Sequence, residues 1–163
     1  MTKNASIALF GTGQLRGTFD RLMSSINRNE DCFVSPMPSP MEISDGELTR
    51  LLSERLRPVN FAVVGLAGPY LEMRHSAQLL SQLTVPCAAF VNDEGYKALV
   101  QTPGVIRSNI RVTVLLQPGT WEGGLDRALE YFEPRSLISV RGNELSHCEI
   151  EDSARAIRAA ALQ

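Results

Sequence analysis

The sequence predicts a single α/β domain over 1–163, a three-layer sandwich around a mostly parallel sheet of five to six strands, Rossmann-like or flavodoxin-like. Three observations predict it. Short apolar runs alternate with stretches whose apolar residues recur at helical spacing. One run, FAVVGL at 61–66, is apolar on both faces, as a strand covered by helices on both sides must be. Glycines gather directly after strands, most densely in Gly11-Thr12-Gly13-Gln14-Leu15-Arg16-Gly17.

The elements follow in order. The run 6–10 (SIALF) is short, apolar and β-branched at Ile7, and the glycine loop comes straight after it. Over 18–26, Phe19, Leu22, Met23 and Ile26 stand at helical spacing. A weaker strand at 32–35 ends at Pro36, Pro38 and Pro40, because each proline removes a backbone donor and restrains the residue before it. The proline-rich stretch 35–44 therefore reads as an extended loop and as the candidate hinge or lid. Ser44 and Glu47 match the S/T-x-x-E capping box, which predicts a helix over 48–56 with Leu48, Leu51, Leu52 and Leu56 as its apolar stripe and Pro58 as its stop.

The strand at 61–66 is broken by Gly68-Pro69, which open a helix running to Leu83. The next strand is 85–91 (VPCAAFV), after which Asn92-Asp93-Glu94-Gly95 turns into a short helix ending near Thr102-Pro103-Gly104. RVTVLL at 111–116 is the clearest strand of the chain. A loop at 117–120 follows, then a helix over 122–132 with Leu125, Ala128, Leu129 and Phe132 on one face. A short strand at 137–140 and a helix rich in Ala and Arg over 150–162 complete the pattern.

At 163 residues the chain is long enough to bury a sizeable core. Its net charge of -2, its pI near 5.7 and its scattered Lys and Arg give no electrostatic footprint for nucleic acid. No stretch approaches the roughly 20 apolar residues that span a bilayer. Met1-Thr2-Lys3-Asn4 leads into a strand-like run without the apolar region of a signal peptide. Cys32, Cys87 and Cys148 are odd in number and widely separated, with neither a CxxC pair nor metal-ligand spacing. Reduced thiols, no metal and a cytoplasmic location are the expectations.

In a parallel α/β sheet the crossover rule brings every post-strand loop to one edge, so the function is sought there. Gly11, Gly13 and Gly17 are spaced G-x-G-x-x-x-G between a strand and a helix, a relaxed form of the dinucleotide fingerprint. Glycines let a backbone approach a phosphate, free N–H groups at a helix start attract the charge, and Arg16 offers a charged partner. A tight turn that needs glycines for its dihedrals alone fits the same residues. The ribose-binding acid of a dinucleotide site is missing, since Ser35-Pro36-Met37 stands at the end of the second strand.

The segment Gly13-Gln14-Leu15-Arg16-Gly17-Thr18-Phe19-Asp20-Arg21-Leu22 resembles the GSLRxxSFNRxL loop of the NADPH-dependent FMN reductases, a flavodoxin-like family, with one residue deleted. The resemblance covers these ten residues and implies that Arg16 and Thr18 hold an FMN phosphate. Gly68-Pro69-Tyr70 loosely matches the family's second loop, and its glycine-rich flavin loop has no counterpart after Val91.

The candidate ligand site is thus Gly11, Thr12, Gly13, Gln14, Arg16, Gly17 and Thr18, joined by Gly68, Tyr70, Asn92, Thr120 and Trp121 from the other rim loops. Trp121, the single tryptophan, lies in QPGTWEGG at 117–124, where it would stack on a planar ring or pack on a neighbouring loop. FMN or NAD(P) is the expected cofactor class. The stretch around His147, Cys148 and Glu149 reads as a polar turn before the last helix, with Cys148 a nucleophile only if its thiol is reactive.

A phosphorylated receiver is not expected, because the position after the first strand holds Gly11-Thr12-Gly13 rather than acids, and Gln117 rather than lysine follows the fifth strand. P-loop and G-x-S-x-G motifs are absent. The alternative to ligand binding is a receiver-like or flavodoxin-like interaction module. It would act through self-association or a protein partner, packing through Ala154, Ala156, Ala159, Ala160 and Ala161 of the last helix.

Overall fold

Residues that alternate apolar side chains to two faces build a sheet only when both faces are covered, and this chain does so around one parallel sheet. The computed structural model describes residues 5–10, 16–28, 31–38, 42–44, 47, 50, 59–105, 110–116, 138–142 and 145–162. In chain order the elements are β1 (Ala5–Phe10), α1 (Arg16–Asn27), β2 (Cys32–Met37), β3 (Phe61–Leu66), α2 (Tyr70–Ser81), β4 (Cys87–Val91), α3 (Asp93–Gln101), β5 (Ile110–Leu116), β6 (Ile138–Gly142) and α4 (His147–Ala161).

The six strands run in the order β2-β1-β3-β4-β5-β6, and every neighbouring pair is parallel. The first five strands therefore have the flavodoxin-like order, not the 3-2-1-4-5-6 order of the dinucleotide-binding fold. The sheet is the middle of three layers. On one face Ala8, Phe10, Ala62, Val64, Leu66, Ala89 and Val91 pack with Met73, Ala77 and Leu80 of α2 and Tyr96 and Leu99 of α3. On the other, Ile7, Leu9, Phe61, Val63, Ala88 and Phe90 pack with Phe19, Leu22 and Ile26 of α1 and Ile150, Ala154 and Ile157 of α4. Each large side chain so buried contributes about 1.5–3 kcal/mol relative to exposure.

Several boundaries differ from the sequence expectation, each for a local reason. β2 runs through Pro36 to Met37, because it lies at the edge of the sheet with β1 as its one strand neighbour, and edge strands tolerate proline. β4 starts at Cys87, not Val85, although the Pro86 carbonyl still accepts from Ala62 N–H at 3.0 Å. Of the proline-rich stretch, 35–38 and 42–44 are described. Ile43 is buried, and its carbonyl oxygen lies 3.1 Å from Nε2 of His75 on α2. Of the helix expected over 48–56, Arg50 alone is described, helical like Glu47; the helix expected over 122–132 lies outside the described residues.

The last helix starts three residues earlier than expected. Ser146 accepts from Glu149 N–H at 3.2 Å while Glu149 Oε1 accepts from Ser146 N–H at 3.0 Å, a complete capping box. His147, Cys148 and Glu149 are therefore its first turn, and not a loop before it. No helix among the described residues is long and apolar enough to cross a membrane.

Candidate functional site

The strand order itself locates the crevice. β2 lies on one side of β1 and β3 on the other, so the chain reverses its direction of travel across the sheet between them. The connection after β1 enters α1 on one face, whereas the connection after β3 enters α2 on the opposite face. Two loops that diverge to opposite faces leave a gap at the carboxyl ends of their strands, the usual ligand position in such sheets. β1 ends at Phe10, level with Val64, so β3 reaches two residues further, to Leu66.

The first rim is the start of α1, which follows β1 in the chain. Gly11, Thr12, Gly13 and Gln14 lie outside the described residues, between the end of β1 and the start of α1. Arg16 is the first residue of α1. Gly17 is exposed, and no described atom comes within 4 Å of the place a Cβ would occupy. Its φ is not positive, Gly104 at 81° being the positive-φ glycine among the described residues. Thr18 is half-buried. The first turn of α1 contains no acidic side chain, whereas α2 carries Glu72 and α4 carries Glu149 at that place.

Side chains along α1 hold it in place. Arg21 Nη1 donates to the Leu145 carbonyl at 2.8 Å, Ser25 Oγ donates to Glu151 at 3.0 Å, and Arg28 pairs with the same carboxylate at 3.1 Å. Arg158 Nη1 donates to the Ser25 carbonyl at 3.2 Å. The hydrogen bond from Ser25 is the main cause that holds the Glu151 carboxyl below the ordinary glutamate value, with the Arg28 and His147 charges adding to it. Phe19 meets Phe90 of β4 edge to face, with ring centroids 6.0 Å apart.

The second rim is Ala67-Gly68-Pro69 after β3. Gly68 is buried, and a Cβ there would meet Met73 Cε at 3.2 Å, so the helix that follows fills the space beside it. Pro69 is the N-cap of α2 and gives it no side-chain hydrogen bond; Met73 N–H reaches the Pro69 carbonyl at 3.0 Å. Tyr70 is the first residue of that helix. Asn92, after β4, is an N-cap: its Oδ1 accepts from Gly95 N–H at 2.8 Å. Gly95 in turn lies so close to the Leu66 carbonyl that a Cβ would overlap the oxygen. Thr120 and Trp121 lie outside the described residues.

The structure thus puts α1 and α2 on opposite faces of the sheet, after the neighbouring strands β1 and β3, and it gives Asn92 a helix-capping contact. Gly68-Pro69, read from the sequence as the opening of this helix, does stand at its start, with Pro69 as the N-cap. Among the described residues no group of three or more His, Cys, Asp or Glu is arranged to hold a metal ion. Cys148 is exposed on the first turn of α4, while Cys32 and Cys87 are buried. Burial first, then the neighbouring Asp31 charge, pushes the Cys32 thiol above its ordinary value.

Comparison with protein-family models, with curated proteins and with solved structures finds no match. The likeness to FMN reductases remains confined to residues 13–22 and 68–70.

Proposed function

We propose that the chain binds a phosphate-bearing ligand between the carboxyl ends of β1 and β3, with the phosphate at the amino terminus of α1, where Gly17 lies. Gly17 carries this reading. Neither its backbone angle nor any described neighbour requires glycine, yet a glycine in a helix is less favourable than alanine by up to about 1 kcal/mol. Close approach of a ligand to the backbone gives the missing side chain a use. The acid-free first turn of α1 supports the same reading, since a carboxylate there would repel an anion. The end of β2 is Ser35-Pro36-Met37, with Pro36 exposed and Met37 buried, and none of these three carries the carboxylate that reads a ribose hydroxyl. A flavin mononucleotide or a simpler phosphate ligand is therefore favoured over NAD(P).

Thermal unfolding with FMN, NADP and inorganic phosphate, each at millimolar concentration, tests this reading. FMN is expected to raise the Tm of the natural chain. Gly17→Ala is expected to stabilise the unliganded protein by about 0.4–1 kcal/mol and to remove the ligand-induced shift. No shift with any of the three, or a Gly17→Ala variant that keeps the full shift, overturns it.

A further inference from the structure

We draw no further inference here: the strongest candidate, the open groove of about 250 Å³ between α1 and α4 lined by Asp20, Arg21, Arg28, His147 and Glu151, carries nothing, because Arg28 pairs with Glu151, Arg21 is bound to the Leu145 carbonyl, and nothing in the structure shows what covers it.

Discussion

Three glycines at the carboxyl edge of the sheet look alike in sequence and do different work. Gly95 is demanded by packing, because the first turn of α3 sits on the Leu66 carbonyl and leaves no room for a methyl group. Gly95→Ala is expected to destabilise the protein by about 1–3 kcal/mol or more, since a backbone oxygen cannot swing aside as a side chain can; a urea titration measures it. Gly68 is tight against the end of the Met73 side chain, which has freedom to shift. Gly17 has open space beside it. A glycine-rich rim in the sequence therefore mixes structural and candidate functional positions. Only the surroundings of each Cβ separate them, and those surroundings come from residues distant in sequence, as Leu66 is from Gly95.

At the scale of the element, the same motif was legible at one place and overlooked at another. Ser44 and Glu47 match the capping box in sequence, and in the fold the Ser44 hydroxyl donates to the Glu47 carboxylate. Ser146 and Glu149 have the same spacing and form the full reciprocal cap of α4. The polar residues His147 and Cys148 between them mask the helix start, because an exposed first turn shows no apolar period. Ser146→Ala is expected to lower stability by about 0.5–2 kcal/mol, read from the shift of the urea midpoint.

The α1–α4 pair also carries a pH signature. The Glu151 carboxyl has a lower pKa when folded, so its stabilising contribution is present above the ordinary glutamate value and is lost as the pH falls through that value toward the folded one. Urea midpoints followed from neutral to acid pH should fall less steeply in Glu151→Gln than in the natural chain. A parallel decline in the two would show that the Ser25 and Arg28 contacts contribute nothing.

For the whole molecule, the parallel sheet divides the thiols as it divides the apolar side chains. Cys87 faces the α2–α3 layer and Cys32 the α1–α4 layer, both buried, while Cys148 stays in solvent. A thiol reagent should therefore label one cysteine quickly in native protein and the other two only after denaturation, with Cys32 slowed further by its raised pKa. Quantitative labelling by mass spectrometry reads this directly, and rapid native modification of Cys32 or Cys87 would contradict the layering. The same layering puts α1 and α2 on opposite faces, the arrangement of a topological switch point.

By itself, the sequence determined the α/β class, the strands β1, β3 and β5 and the location of the glycine loop between a strand and a helix. These follow from local causes: apolar period, β-branched runs and the chain-breaking power of glycine and proline. The tertiary structure alone decided the strand order, and with it that β1 and β3 are neighbours whose following helices lie on opposite faces. It also decided that β2 is an edge strand able to hold Pro36, and that packing requires Gly95 whereas no described neighbour crowds Gly17. Strand neighbours and Cβ surroundings are set by residues far apart in the chain, and no local pattern encodes them.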